Sequence, residues 1–383
     1  MTTLRVVGAL REVPRAAWDA LVADRSPFLE WEWLNALEEA GAVGGRTGWL
    51  PQHLTLWEGE GENQRLVGAC PLYVKGHSQG EFVFDHGWAT AAQRARIDYY
   101  PKLLVAVPFT PVTGPRILAA PGAHGRVAGE LAAALEAVCE DQGFSSVHVN
   151  FCLDEDRDAL VARGWLLRTG YQYQWANRGF GSFDDYLDSL RSKRRNQVRR
   201  ERRELAEQGV AIETLVGEAI PAELAPLAYR LYRATVDTNP WGQRYLNERL
   251  FGLLFERWRS RLCLVLARRR GEIIAGTINV QQGGVLYGRY WGALQPLRHL
   301  HFNVSYYAAV EHCIAQGLSR FEPGAGGEFK HLRGFDAAPT QSLHWIREPR
   351  FRTAVADYLA REREHVAGEI DWLDDKTAYR RDG

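Results

Sequence analysis

The sequence lacks the residue spacings that mark the common metal, disulfide and nucleotide sites. Its five cysteines are scattered, with no CxxC pair or Cys/His ligand pattern, which argues against a zinc site and against a disulfide framework. We expect them to be small buried apolar residues in a reducing cytosol. There is also no GxxxxGK[ST], no dinucleotide-binding glycine fingerprint and no G-x-S-x-G, which excludes a P-loop, a Rossmann-type site and a serine hydrolase of the nucleophile-elbow kind.

Net charge and long apolar runs are absent as well. Lys+Arg and Asp+Glu number 47 each, so nothing in the composition indicates wholesale binding to nucleic acid or membrane, and such a partner must meet a local patch. No apolar run is long enough to span a bilayer, and the first residues do not form a basic leader with an apolar core. We therefore expect a cytoplasmic protein.

The chain has the length and the apolar content for two domains. It contains 383 residues, of which 46% are hydrophobic. The predicted order of strands and helices occurs twice, and Cys139–Val147 and Cys313–Phe321 share Cys, Gln, Gly and Ser at matching offsets. Chance similarity between two helix ends is the alternative, because glycine is common there. We predict two paired α/β domains, at residues 1–178 and 179–383.

The densest group of reactive side chains surrounds a glycine-rich turn. The pattern predicts a helix over Asn303 to Gln316, a left-handed end at Gly317 and a strand over Leu318 to Phe321, followed by the turn. Its glycines allow the backbone to approach a ligand closely. The groups nearby that handle protons or anions are His299, His301, Tyr306, Glu322, Glu328, Lys330, His331, Arg333 and His344. A charged, solvated loop is the alternative.

A basic helix is predicted between the two halves, over residues 183–208. Ser182 is a candidate N-cap, and Arg191, Arg195, Arg199 and Arg203 follow at intervals of four, where like charges on one face favour a polyanionic partner. The residues expected to contact phosphate are Lys193, Arg194, Arg195, Arg199, Arg200 and Arg203. A solvated surface helix, with its charge offset by neighbouring glutamates, is an equal alternative.

Several segments together resemble the FemAB-like peptidoglycan biosynthesis/recognition family. They are Gly48-Trp-Leu-Pro-Gln-His53, His77-Ser-Gln-Gly-Glu-Phe-Val-Phe-Asp-His86, the run from Tyr99-Tyr-Pro-Lys102 to Gly114-Pro-Arg116, the basic helix and the glycine-rich turn. The resemblance covers nearly the whole chain. It implies a mixed α/β (α+β) protein of two tandem GNAT-like domains, with the active cleft where the second domain meets the first.

The resemblance also implies an activity. Fem-type relatives transfer an aminoacyl group from tRNA to an amine of a cell-wall precursor, whereas ordinary GNAT enzymes use acyl-CoA. The segment Phe329-Lys-His-Leu-Arg-Gly-Phe335 matches an FK motif of the Fem enzymes and places Lys330 at its lysine. Two features depart from the family pattern: Asn303 stands where an acidic residue is usual, and the turn carries Phe329 where histidine is usual. These departures put a standard cell-wall substrate in doubt.

Amide formation requires a neutral amine, a stabilised oxyanion and a proton for the leaving group. We expect Glu328 or Glu322 to accept the amine proton and Lys330 or Arg333 to stabilise negative charge. Alternative acid–base groups are His301 and His344, and Tyr306 is a candidate proton donor to the leaving group. Residues expected to contact the substrate are Arg333, Asn303, Tyr290, Trp291, Trp241, Gly324 and Gly327. A structural role in the core is the alternative for each histidine and aromatic residue.

The residues just before the predicted helix indicate which acyl donor the protein uses. Gln295-Pro-Leu-Arg-His-Leu-His-Phe302 contains no glycine, so fewer backbone N–H groups are free to hold a CoA pyrophosphate. This favours aminoacyl-tRNA over acyl-CoA as co-substrate, with no permanently bound cofactor and no metal. The acceptor is then an amine of a cell-wall precursor or of a small metabolite. An acyl-CoA-dependent N-acetyltransferase and a non-catalytic glycan or peptide recognition module stay as alternatives.

Overall fold

The computed structural model describes residues 2–238 and 242–380, so Trp241 lies outside the described part of the chain. The strands are β1 (Thr2–Val7), β2 (Trp49–Pro51), β3 (His53–Glu58), β4 (Arg65–Cys70), β5 (Leu72–Lys75), β6 (Lys102–Val105), β7 (Leu118–Ala119), β8 (Ser146–Asn150), β9 (Leu166–Ala176), β10 (Val210–Val216), β11 (Leu262–Arg269), β12 (Glu272–Gln282), β13 (Val285–Ala293), β14 (Arg320–Glu322) and β15 (Asp336–Ile346). The helices are α1 (Arg15–Val22), α2 (Trp31–Glu39), α3 (His86–Arg94), α4 (His124–Asp141), α5 (Asp154–Val161), α6 (Phe183–Ser189), α7 (Ser192–Glu207), α8 (Ala225–Val236), α9 (Glu248–Arg257), α10 (Leu300–Phe302), α11 (Ala308–Ala315) and α12 (Pro349–Asp375).

The chain divides into two compact units. Unit 1 contains residues 1–170 and 339–368, and unit 2 contains residues 171–338 and 369–383. The sequence places residues 339–368 in the second domain, whereas the structure groups them with the first unit. The assignment of one GNAT-like domain to each half stays a prediction.

Unit 1 is built on two sheets. Strands β1, β3, β4 and β7 form an antiparallel sheet in that order. In the second sheet β2 pairs with β5 and β5 with β6, both antiparallel; β6 pairs with β8 in parallel, and β8 with the end of β15 antiparallel. Helix α4 buries Val127 and Leu131 in the core. It approaches β4 so closely that a Cβ at Gly68 would lie 2.4 Å from Val127 Cγ1, which requires glycine there.

Unit 2 is built on a sheet with one parallel pair. Strands β10, β11, β12 and β13 form successive antiparallel pairs, β13 and β14 are parallel, and β14 pairs antiparallel with the end of β9. Helix α8 packs on β13 at Gly292, where a Cβ would lie 1.9 Å from the Leu231 carbonyl oxygen. The sheet therefore presents β13 and β14 side by side, just ahead of the glycine-rich turn.

The two self-similar segments occupy the same topological position in each unit. The first joins α4 to β8 and the second joins α11 to β14, and each of these strands forms the parallel pair of its unit. Both connections contain a glycine with positive φ, +72° at Gly143 and +64° at Gly317. This shared placement supports the predicted repeat.

The five cysteines are free and buried, as the sequence predicts. Burial raises the pKa of the Cys70, Cys139, Cys152 and Cys263 thiols to about 12, so they behave as small apolar groups.

Candidate functional site

The glycine-rich turn begins where β13 and β14 stop pairing. The parallel pair ends at Tyr287 and Glu322, and a Cβ at Gly288 would lie 3.1 Å from Pro323 Cα. Gly324 and Gly327 then adopt φ values of +86° and +89°, a region that favours glycine. We call residues 324–333 the corner.

The Lys330 side chain lies inside the corner and binds its backbone carbonyls. Its side chain is buried, and its Nζ donates to the Gly324 carbonyl at 2.6 Å and reaches the Ala325 carbonyl at 3.5 Å. Burial lowers the pKa of Lys330 to about 8. The ammonium therefore holds the glycine turn in place, and it loses its proton more readily than an ordinary lysine.

Arg333 is buried against the helix that carries the basic residues. Its Nη2 lies 3.1 Å from both carboxylate oxygens of Glu201 on α7, and its Nε donates to the Tyr307 hydroxyl at 2.7 Å. Its guanidinium carbon lies 3.5 Å from the centre of the Phe302 ring. The carboxylate of Glu201 neutralises this charge, so the geometry gives Arg333 a structural role that joins α7 to the corner.

Asn303 supports the same junction. Residues Asn303–Tyr307 form a π-helical turn between α10 and α11, within the helix that the sequence predicts as continuous. The amide of Asn303 donates to the backbone carbonyls of Glu201 at 3.1 Å and His299 at 2.9 Å. The residue is buried, and its side-chain donors are both used within the protein. Its expected contact with substrate stays a prediction.

An aromatic cluster packs beside the corner. The His301 ring lies 5.0 Å from Trp291, 5.4 Å from Tyr306 and 5.9 Å from Phe329, measured between ring centres. Burial, with added repulsion from Arg333 and Lys330, lowers the pKa of His301 to about 4. Burial also raises the pKa of the Tyr306 hydroxyl. His301 is therefore neutral at pH 7, suited to accept a proton only transiently.

Glu328 faces a cavity of about 510 Å³ in unit 2. Glu328 is exposed and begins the short helical segment Glu328–Arg333. The polar and aromatic side chains that line the cavity are Tyr171, Tyr173, Glu328, Phe329, His331, Glu369 and Trp372. Of the predicted catalytic residues in the described part of the chain, Glu328 is therefore the one that lines this cavity. Lys330 and Arg333 are buried on the inner side of the corner and do not line it.

The sequence analysis gave no site role to most of this lining. Tyr171 and Tyr173 belong to the end of β9, and Glu369 and Trp372 belong to α12, a helix that the sequence analysis did not predict. The alternation of tyrosines in β9, which places both rings on one face of the strand, is the signal that indicates such a wall. Nothing in the sequence indicates that α12 completes it.

The other predicted site residues of unit 2 have internal partners. Glu322 lies 3.0 Å from Arg320, and burial raises the pKa of its carboxyl. The ring of Tyr290 packs 5.2 Å from Tyr232, and its buried hydroxyl has no hydrogen-bond partner among residues 2–238 and 242–380. These contacts are compatible with either a packing role or a site role for Tyr290.

His344 lies in unit 1. Its Nδ1 is 2.6 Å from Nδ1 of His148, whose Nε2 is 2.8 Å from the Ser146 hydroxyl. Its ring packs edge-on against Trp88 at 4.8 Å. Burial and the neighbouring His148 lower the pKa of His344 well below its usual range, so the imidazole is neutral.

The family segments of the first half meet in a buried charge network in the same unit. Lys102 Nζ donates to the Ser78 hydroxyl at 2.9 Å, to Glu81 at 2.8 Å and to Asp85. The Tyr99 hydroxyl donates to Asp85 at 2.6 Å. The segments His77–His86 and Tyr99–Lys102 therefore act together to bury and neutralise one ammonium group.

The basic helix requires a correction. The predicted continuous helix over 183–208 is two helices, α6 and α7, because Leu190 is extended and buried and Arg191 binds the Tyr379 carbonyl at 3.1 Å through its Nε. The predicted capping box at Ser182 and Asp185 is confirmed. The break removes Arg191 from the basic face.

The basic residues of α7 that are predicted to contact phosphate are only loosely paired, whereas Arg202 of the same helix binds Glu311 at 2.9 Å. Arg195 lies 3.7 Å from Asp188, Arg199 lies 3.6 Å from the same carboxylate, and Arg203 lies 3.7 Å from Glu207. The two others with a charged or polar neighbour are Arg200, 3.8 Å from Glu204, and Arg194, 3.3 Å from the Gln197 side chain, and Lys193 is exposed. Long, exposed ion pairs contribute ~0–1 kcal/mol each, so a phosphate can displace them.

One group of residues has the spacing of a metal site within the described part of the chain. His124, Glu155 and Asp156 each present a ligand atom within 4.8 Å of the others. His124 Nε2, however, is bonded to Asp156 at 2.8 Å, and the second oxygen of Asp156 accepts the Arg116 backbone N–H at 2.7 Å. The ligand atoms of His124 and Asp156 are therefore already engaged with each other, and Glu155 Oε1 accepts from Arg25 at 2.6 Å.

The fold is shared with solved structures of low sequence identity. FemX is similar with a TM-score of 0.55 at 10% identity over 90% of this chain and 98% of that one. L-PGS from Bacillus licheniformis has a TM-score of 0.51 at 10% identity over 93% and 98%. The C-terminal domain of a putative lysylphosphatidylglycerol synthetase from Agrobacterium fabrum has a TM-score of 0.51 at 8% identity over 91% and 96%. These likenesses show a mixed α/β protein of GNAT-like fold.

The family follows from the sequence match. Residues 9–381 match the model of the FemAB-like family, described as peptidoglycan biosynthesis/recognition, and the chain belongs to this family. A comparison with curated proteins finds no match. Of the helices in residues 2–238 and 242–380, none combines the length and apolar character that crossing a membrane requires.

Proposed function

We propose that the protein is an N-acyltransferase that moves an aminoacyl group from aminoacyl-tRNA to an amine. The observation that carries the proposal is membership of the FemAB-like family across residues 9–381. Structural neighbours named FemX and lysylphosphatidylglycerol synthetase, and a cavity edged by the Glu328 carboxylate, support it. The acceptor is an amine of a cell-wall precursor or of a small metabolite.

The reaction proposed at the corner is attack of an amine on the aminoacyl ester, assisted by a general base. The amine nitrogen attacks the aminoacyl carbonyl, a C–N bond forms, and the C–O bond to the tRNA ribose breaks. Glu328 accepts the proton of the amine and returns it to the ribose oxygen, which leaves as a hydroxyl. Lys330 is the proposed nearby source of positive charge for the oxyanion, because its ammonium lies under the same loop.

The tRNA surface that we propose is the exposed face of α7. Arg195, Arg199, Arg200 and Arg203 offer bidentate donors that suit phosphates, and the carboxylate partners of these four lie at 3.6 to 3.8 Å. Replacing Arg199 and Arg203 together by glutamine should weaken tRNA binding and reduce the salt slope by about two. The control is the same double change at Arg230 and Arg270, which are exposed in unit 2 outside α7.

The proposal is tested by mass spectrometry of products. The full chain is incubated with a pool of charged tRNAs or with a set of acyl-CoAs, in each case with small amines and cell extract as acceptors. We expect an amide product only with charged tRNA. Amide formation from acyl-CoA alone would replace the donor, and no amide from either donor would overturn the acyltransferase assignment and favour a recognition module.

A matched pair of variants tests the base. Glu328→Gln should slow amide formation by about 10²-fold or more, because the amide side chain cannot accept the proton. Glu223→Gln removes the same charge from another exposed position of unit 2 and should leave the rate unchanged. Equal rates for Glu328→Gln and the unaltered protein would assign the base elsewhere.

A further inference from the structure

A line of hydrogen-bonded side chains runs along one side of α7. Arg194, Gln197 and Glu201 follow at spacings of three and four, which places them on the same face of a helix. Arg194 Nη1 donates to the Gln197 side-chain oxygen at 3.3 Å, and Gln197 Nε2 donates to Glu201 Oε1 at 2.9 Å. The orientation of the Gln197 amide is therefore fixed, because a guanidinium only donates and a carboxylate only accepts.

The line continues into the corner. Both carboxylate oxygens of Glu201 accept from Arg333 Nη2, at 3.1 Å each. Arg333 Nη1 in turn donates to the backbone carbonyl of Phe329 at 3.1 Å. Phe329 directly follows Glu328, the proposed base. The backbone beside the base is therefore held by a buried guanidinium whose position depends on Glu201.

The outer end of the line is a candidate phosphate contact. Arg194 is half-buried, whereas Glu201 is 3% exposed, so the line leads from the surface of α7 to its interior. A guanidinium has five N–H donors, and Arg194 uses Nη1 for Gln197. The other donors of the fork can bind a phosphate without loss of that bond.

A phosphate on Arg194 would affect the whole line. It would restrict a long side chain that is otherwise free to leave Gln197, and consecutive hydrogen bonds polarise and strengthen one another. The effect is reciprocal, because a ligand that favours one arrangement of the line is itself bound more tightly by that arrangement.

We propose that Gln197 is a positioning residue that couples a phosphate bound at Arg194 to the backbone beside Glu328. Glu201 and Arg333 carry the coupling through the hydrogen bonds above. The inference rests on the proposed function, because the phosphate is that of the tRNA carrier. Docking of the carrier on α7 thereby fixes the corner in the arrangement that the reaction uses.

Hydrogen exchange measured by mass spectrometry tests the coupling without any acyl transfer. Saturating uncharged tRNA at low salt, added to the full chain, should slow exchange of the backbone amides of residues 328–334 about three- to fivefold. Gln197→Met keeps the length of the side chain and removes both of its hydrogen bonds. This variant should bind tRNA within about twofold of the unaltered affinity and should lose the slowing. Asn196→Met, at an exposed neighbouring position of α7, is the control and should retain it.

A second pair of variants separates tRNA binding from coupling. Arg194→Met and Arg200→Met should both weaken tRNA binding, because each removes a positive charge from α7. At saturating tRNA, Arg194→Met alone should lose the slowing, since Arg200 lies beside Glu204 and outside the line. In amide formation, Gln197→Met should lower kcat about three- to fivefold and change the KM for charged tRNA less than about twofold.

The outcomes separate this inference from the proposed function. Slowing that persists in Gln197→Met would overturn the inference, because direct contact of tRNA with the corner would then account for it. Unchanged exchange in the unaltered protein with tRNA bound would overturn it as well, and amide formation from charged tRNA would still support the acyltransferase. Slowing that depends on Gln197, without an amide product, would support the coupling and overturn the acyltransferase. Absence of tRNA binding would overturn both.

Discussion

Replacing Glu201 by glutamine tests whether Arg333 is a structural residue or a substrate contact. In the structure both carboxylate oxygens of Glu201 lie 3.1 Å from Arg333 Nη2, and each side chain is 4% exposed. Glutamine keeps the shape of the side chain and removes its charge, which leaves a buried guanidinium without a counterion. Removal of one partner of a buried ion pair costs about 3–5 kcal/mol, and we expect a loss near the lower bound because Tyr307 and Phe302 still contact Arg333.

The measurement is urea unfolding followed by tryptophan fluorescence and circular dichroism. Because the chain has two compact units, the shift should appear in the transition of unit 2 alone. Glu204→Gln is the matched control, since Glu204 is on the same helix but 28% exposed at its side chain, and it should cost less than about 1 kcal/mol. A double variant, Glu201→Leu with Arg333→Met, should recover part of the lost stability because no unpaired charge is left.

A small effect would refute this reasoning. If Glu201→Gln unfolds within about 0.5 kcal/mol of the unaltered protein, the carboxylate is not the counterion of a buried arginine. If Arg333→Met then abolishes amide formation while stability is preserved, Arg333 is a substrate contact as the sequence predicts.

Three further predictions concern unit 2. The pKa of Lys330 is lowered from 10.5 to about 8, so the unfolded chain binds more protons than the folded chain between these pH values. The free energy of unfolding, measured in urea relative to that of Lys330→Met, should therefore rise by up to about 3 kcal/mol from pH 8 to 10.5. A difference between the two proteins that stays constant over this pH range would contradict the lowered pKa. His301, with its pKa lowered to about 4, should show no imidazole titration by NMR between pH 5.5 and 8, and a midpoint above 6 would contradict its buried placement. Gly292→Ala should lower the free energy of unfolding by more than about 2 kcal/mol in thermal unfolding, because its Cβ would lie 1.9 Å from a backbone oxygen. Gly252→Ala is the control and should be stabilising, because Gly252 lies on a helix and a Cβ there would meet open space. Equal effects of the two substitutions would contradict the close packing at Gly292.

Periodicity predicts much of unit 2 because its strands and helices each have one buried face. The sequence pattern predicts strands over Val210–Val216, Leu262–Arg268, Glu272–Gln281 and Val285–Ala293; β10 and β13 have these bounds, and β11 and β12 are each one residue longer. The π-helical turn at Asn303–Tyr307 was not predicted, and the side-chain amide of Asn303 in this turn donates to the backbone carbonyl of Glu201, a residue far away in the sequence. Helix α3 was also missed, because the segment around it is rich in aromatic residues and proline and shows no clear period.

The sequence indicates which residues of the site are reactive but not what they face. Glu201 is one glutamate among several on a basic helix, and only the fold shows that it is turned inward to Arg333. Glu328 and Lys330 are two residues apart on a tight helical segment, which turns one to the cavity and the other to the interior. Local spacing cannot distinguish these directions without the partners that come from other elements.

The two buried cations of the corner, Arg333 and Lys330, have different partners and therefore different acid–base chemistry. Arg333 has a carboxylate partner, which stabilises its charged form, and a guanidinium does not release its proton in proteins. Lys330 has only backbone carbonyls as partners, and burial brings its pKa to about 8, within reach of the working pH. Of the two, Lys330 is therefore the group able to change its protonation state during a reaction at the Glu328 cavity. Because its ammonium also holds the Gly324 carbonyl, loss of that proton would weaken the contact that closes the glycine turn, so proton transfer and the shape of the corner are coupled.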